Sequence, residues 1–166
     1  MTLSASLAAV LNAAYSQTLD VGAVQYPLAY GPNFVFTDGS GANQANKLFT
    51  DTRTLAASAS ESLDLNGVLT DAFGAVLNFT KIRALIIAAS AANTNDVIVG
   101  NAASNGFVSW CGGATNTVTV KPGGLFMLVA PDVNGYAVTA ATADLLKVLN
   151  GGAGTSIDYT ITILGS

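Results

Sequence analysis

Glu61 and Asp64 are the closest pair of acids in this chain that could share a reaction. Glycoside hydrolysis asks for little more than two carboxyl groups about 5 to 9 Å apart. A three-residue spacing, however, puts the two side chains on opposite faces of a strand, and Arg53 lies close enough in sequence to serve as an ion-pair partner. The pair is therefore read as structural. The chain has no histidine, which removes both the commonest general base and the commonest metal ligand. Ser-x-x-Lys, Gly-x-Ser-x-Gly and the phosphate-cradling glycine loops do not occur.

Asp132-x-Asn134-Gly135 and Asp38-Gly39-Ser40 resemble pieces of a calcium loop, but the later acidic ligands are missing. The same residue types make ordinary β-turns, and that is the reading adopted. Cys111 is the single cysteine, so no intrachain disulfide forms, and it is expected to pack as a small hydrophobe beside Trp110. Tyr26, Tyr30, Phe34 and Phe36 form an aromatic cluster that would suit sugar stacking or packing against a neighbour; packing is preferred. Catalytic, metal and cofactor sites are all expected to be absent.

The elements carrying these residues read as strands. Ile157, Tyr159, Ile161 and Ile163 alternate with Ser156, Asp158, Thr160 and Thr162, the pattern of a half-buried strand. The run 145–149 precedes it across a glycine-rich break at 150–154, and the two are expected to form a hairpin. Leu125–Val129, bracketed by Pro122-Gly123-Gly124 and Pro131, reads as a strand buried on both faces. Further strands are expected at 62–65, 76–79, 82–88, 97–99, 117–120 and 136–139. Turn signals every 8 to 12 residues or so mark an all-β antiparallel sandwich or barrel of about eight strands.

The N-terminal segment is ambiguous. Leu3, Leu7, Val10, Leu11 and Ala14 follow helical spacing, whereas Leu3, Leu7, Leu11 and Tyr15 also fall on one face of a strand. Residues 20–47 are rich in Gly, Pro and Asn and read as an extended arm or long hairpin. The expected organisation is an N-terminal arm or hairpin over 1–46 and a β-sandwich domain over 47–166.

Composition narrows the function classes. Apolar residues make up 51% of the chain and charged residues only 10%, so a core forms, but the surface must be built from Ser, Thr, Asn, Gly and Ala. Such a surface loses water at low cost, which suits burial in an assembly. The net charge is −4 and Lys47, Arg53, Lys81, Arg83, Lys121 and Lys147 are scattered, so no nucleic-acid partner is expected. The apolar stretch 84–92 is far shorter than the ~20 residues of a spanning helix, and no membrane partner is expected. Met1-Thr2-Leu3-Ser4 lacks the basic residues that open a secretory signal, and folding in a cytosol is expected.

Three segments, GANQANKLFTDTRTLAASASESLDLNGVLTDAFG (41–74), PGGLFMLVAPDVNGYAV and LLKVLNGGAGTSIDYTITILG, resemble small virion structural proteins of tailed bacteriophages of the capsid decoration or cement type. The resemblance implies a jelly-roll β-sandwich, commonly a homotrimer, seated on the major capsid protein of a virion assembled in the host cytoplasm. It implies a non-enzymatic protein that binds and stabilises the head lattice, with Tyr26, Tyr30, Phe34 and Phe36 as subunit or capsid contacts. The alternatives are a receptor- or glycan-binding module of a head or tail fibre, and a shell or tail-tube subunit.

Overall fold

Every regular element among residues 2–166, the part of the chain described by this computed structural model, is a β-strand. Four strands come first: β1 (Ala5–Ala8), β2 (Leu11–Leu19), β3 (Gly22–Tyr30) and β4 (Asn33–Phe36). The main body follows with β5 (Lys47–Leu55), β6 (Ser60–Asp64), β7 (Asn66–Thr70), β8 (Val76–Asn78), β9 (Lys81–Ala89), β10 (Val97–Gly100), β11 (Thr117–Val120), β12 (Leu125–Val129), β13 (Tyr136–Ala137), β14 (Leu145–Asn150) and β15 (Ile157–Gly165). The helical spacing near the N-terminus is overridden, and that segment is paired strand.

Pairing in the main body is nested. β5 pairs with β15, β6 with β14, β9 with β12 and β10 with β11, all antiparallel. Two further pairings, β15 with β9 and β14 with β10, join these into sheets of order β12-β9-β15-β5 and β11-β10-β14-β6. β13 adds to the start of β9, and β7 and β8 form a separate two-stranded pair.

The two sheets share one core because β15 alternates as its sequence demands. Ile157, Tyr159, Ile161 and Ile163 are buried, and they belong to one cluster with Leu63, Val97, Val99, Leu146 and Val148 of the other sheet. Each such side chain contributes about 1.5–3 kcal/mol on burial, which identifies this cluster as the main source of stability.

Two sequence expectations are corrected here. β14 and β15 do not form a hairpin; they lie in different sheets, and the glycine-rich link between them carries the chain from one to the other. Leu146 and Val148 can then meet the isoleucines of β15 from the opposite side of the core. The Asn150 side chain fixes the start of the crossover, donating to the carbonyls of Ala56 at 3.0 Å and Thr155 at 2.8 Å. β12 is an edge strand rather than one buried on both faces: Phe126 and Leu128 pack on the core, while Leu125 is 62% exposed.

Residues 2–46 are unevenly packed. β1 and β4 pair and lie on the outer face of the β5–β15–β9–β12 sheet, where Phe36 and Ala45 join Ala84 and Leu164 in a second buried cluster. Arg83, fully buried, ties this region down: its guanidinium donates to the carbonyls of Ser40 (2.8 Å), Gly41 (2.9 Å), Val133 (3.2 Å) and Asp132. The β2–β3 hairpin, by contrast, is exposed at every position.

Candidate functional site

The acids singled out in the sequence are engaged in structural bonds. Glu61 accepts from Arg53 Nη1 at 2.6 Å through one oxygen and from the Tyr159 hydroxyl at 2.6 Å through the other. Arg53 also meets Asp51 at 3.2 Å. The network links β5 and β15 of one sheet to β6 of the other. Burial, and then the bond to Glu61, pushes the Tyr159 hydroxyl well above its ordinary phenol value. Asp64 accepts instead from its neighbour Asn66 N–H at 2.8 Å, so the two acids do separate work.

The calcium-like fragments are turns. Asp132 accepts from the N–H groups of Asn134 at 2.7 Å and Gly135 at 3.2 Å, and these bonds hold its carboxyl below the usual carboxylate range. Asp38 accepts from Leu3 N–H at 3.1 Å. Cys111 is half-buried against the carbonyls of Val108 and Gly113. Beside it, Trp110 donates to the Phe107 carbonyl and packs against Phe126, the rings tilted and their centroids 5.4 Å apart.

Of the four aromatic residues, the structure keeps two on a common exposed surface. Tyr26 and Tyr30 stand on β3, each 66% exposed. Phe34, on β4, is half-buried, and Phe36 is 0% exposed. Phe36 is therefore corrected as a contact residue: its ring fills the space between β4 and the sheet beneath, packing with Ala84 and Leu164.

The exposed surface has other members. Leu11 pairs with Tyr30, Ala13 with Leu28, Tyr15 with Tyr26 and Gln17 with Val24, so one side of the hairpin is almost wholly apolar. The other side carries Asn12, Ser16, Thr18, Gln25 and Pro27. Asp20 is the single charge in residues 11–30. The turn closes on Gly22, whose φ of +122° is natural only to glycine. Pro27 interrupts neither the register nor the pairing, as is possible where its missing N–H faces an open edge. Leu11 and Tyr15 were discoverable from the even spacing of Leu3, Leu7, Leu11 and Tyr15; Val24 and Leu28 needed the register.

A second open surface lies on the outer face of the β5–β15–β9–β12 sheet. The pairings line up Thr50, Thr162, Ile86 and Met127 in one row and Thr52, Thr160, Ala88 and Leu125 in the next. Thr50 and Thr162 hydroxyls bond at 3.1 Å, and Thr52 and Thr160 at 3.0 Å. Over the second row and the one beyond it is a shallow trough of about 500 Å³ lined by Thr52, Thr54, Ala88, Asp158 and Thr160. A smaller cavity of about 170 Å³ separates Leu7 of the ribbon base from Ile86 and Thr162. No protein-family model, curated protein or solved structure matches the chain.

Proposed function

We propose that this chain is a non-enzymatic virion structural protein, a jelly-roll decoration or cement protein that binds and stabilises a phage head lattice as a homo-oligomer, a trimer by preference. The observation that carries the reading is the β2–β3 hairpin: a long apolar face, held out from the body and covered by no residue of its own chain. A two-stranded hairpin alone is marginal in water, so a face of this kind makes physical sense when it is covered in an assembly.

Three further features support it. The nested pairing of first strand with last, and so inward, is the arrangement expected of two Greek keys folded into a jelly roll, an architecture common in viral capsids. Segments 41–74, 122–138 and 145–165 resemble small phage virion proteins of the decoration or cement type. A surface with few charges suits a lattice held by many weak contacts, each multiplied by its neighbours.

The test is to mix the purified chain with source-phage heads stripped of it and sediment them. Saturable co-sedimentation, and heads that withstand higher temperature once loaded, are expected. A chain that stays in the supernatant, or that binds host glycans instead, would overturn the reading.

A further inference from the structure

The β1–β4 and β2–β3 pairs are one ribbon in a single register. Ala5 faces Phe36, Leu7 faces Phe34, Leu11 faces Tyr30 and Tyr15 faces Tyr26, and at the joint Ala9 N–H bonds the Pro32 carbonyl at 3.1 Å. Where no residue is gained or lost, alternate residues keep to one side of a ribbon. The side that the base presses onto Ala84, Leu164 and Val129 therefore runs on along the tip as Leu11, Tyr15, Tyr26, Leu28 and Tyr30. At the base this side is covered by the chain's own sheet; at the tip it faces solvent.

The sheet is in the complementary condition. Its outer face is covered by the ribbon base along the row of Leu164, Ala84 and Val129, and in the two rows beyond it is half-buried at Ile86, Met127, Thr162 and Ala88 and exposed at Thr50, Thr52, Thr160 and Leu125. Those rows carry Ile86, Met127, Ala88 and Leu125 beside paired threonines, and no charged residue. The threonine hydroxyls already bond one another, so covering each pair leaves one donor rather than two for the partner to satisfy. These two uncharged rows, bordered by Asp158 in the next, match the uncharged face of the tip.

Reach and area agree. Nine paired residues extend about 30 Å, while four strands span roughly 15 to 20 Å, so one tip crosses the sheet. Three tyrosines at about 150–250 Å² each, with the aliphatic side chains between them, bring a reciprocal or cyclic exchange of tips into the range of about 1,200–2,000 Å² that stable interfaces bury.

We propose that the tip of each copy lies, with its Tyr15, Tyr26 and Tyr30 side down, on the open threonine and isoleucine rows of a second copy, next to that copy's own ribbon base. The proposal deepens the reading of the chain as an assembly component and is independent of where on a particle the assembly sits.

The experiment is light scattering at micromolar concentration combined with disulfide trapping in a Cys111→Ser background. The unaltered chain is expected at a multiple of its 16.7 kDa mass. Replacing 11–30 by an Asn-Gly turn, or introducing Ile86→Lys, is expected to give single-chain mass with the β-sheet circular dichroism retained. Should the shortened chain fail to fold, the exposed-site double variant Tyr15→Ser/Tyr26→Ser serves in its place. Co-expressed chains bearing a cysteine at Tyr15, Tyr26 or Tyr30 in one and at Thr52, Ala88 or Thr160 in the other are expected to cross-link to each other. An unaltered chain of single-chain mass, a mass indifferent to loss of the tip, or tips that cross-link only to tips would overturn the proposal. A monomer that still sediments with heads would defeat this proposal and the homo-oligomer part of the proposed function while leaving head binding standing, and a tip-linked oligomer that ignores heads would defeat the head-binding reading alone.

Discussion

Tyr15 and Tyr26 sit directly opposite each other in the β2–β3 ladder, 79% and 66% exposed. A cross-strand aromatic pair contributes about 0.2–1 kcal/mol, too little to hold a nine-residue hairpin together without other packing. The backbone amides of residues 11–30 are therefore expected to exchange with deuterium orders of magnitude faster than those of β15 when the protein is dilute, and to become protected when it assembles. Hydrogen exchange followed across a concentration series checks this; protection already complete in the dilute chain would show that the hairpin needs no partner.

The core of the main body gives the largest stability effects. Ile161 is 0% exposed and touches the shared cluster from the middle of β15. Ile161→Ala is expected to cost about 2–5 kcal/mol through lost contact and a residual cavity. Ile161→Asp, which places an unpaired carboxylate there, is expected to cost at least as much. Denaturant titration reads both.

Arg83 makes a prediction that composition alone would not suggest. Its guanidinium serves four backbone carbonyls and no carboxylate, joining β9 to the 40–41 loop and the 132–133 turn. Arg83→Met keeps the bulk and strands those acceptors, at an expected cost of about 2–4 kcal/mol. Arg83→Lys is expected to recover little of this, because an ammonium cannot reproduce the planar fork. Thermal melts of the two variants side by side are the check.

Alkaline behaviour follows from Tyr159. Its phenol has an ordinary value of 10.0 and is raised in the folded protein by burial and by the bond to Glu61. Above about pH 10 the unfolded chain releases this proton while the folded chain holds it, so the contribution to stability is full below that pH and declines above it. Tyr159→Phe is expected to flatten the decline while costing about 1.5–3 kcal/mol at neutral pH through the lost bond to a charged acceptor. Stability measured between pH 7 and 11 in both proteins decides it.

Much of the main body was legible before the structure. The alternation of Ile157, Tyr159, Ile161 and Ile163 placed the core face of β15, and the Arg53–Glu61 pair was visible from spacing. Sheet assignment was not legible. The 150–154 glycines signal a break equally well for a hairpin and for a sheet-to-sheet crossover, and only the long-range pairing with β6 and β10 distinguishes them. Phe36 was misjudged for a similar reason: an aromatic flanked by Pro and Gly looks available until the ribbon's base is laid on Ala84 and Leu164. The exposed tip was half legible, since Tyr26 and Tyr30 stood out by type, but Tyr15 and Leu28 joined them only through register.

The proposed role is that of a coat component bound to a phage head. A cryo-microscopy reconstruction of the source particle tests it most directly. Repeated density on the outer head surface that fits the β5–β15 body, with the β2–β3 hairpins bridging adjacent copies, is expected. A head surface bare of such density in particles that contain the protein, or density confined to the tail, would contradict it.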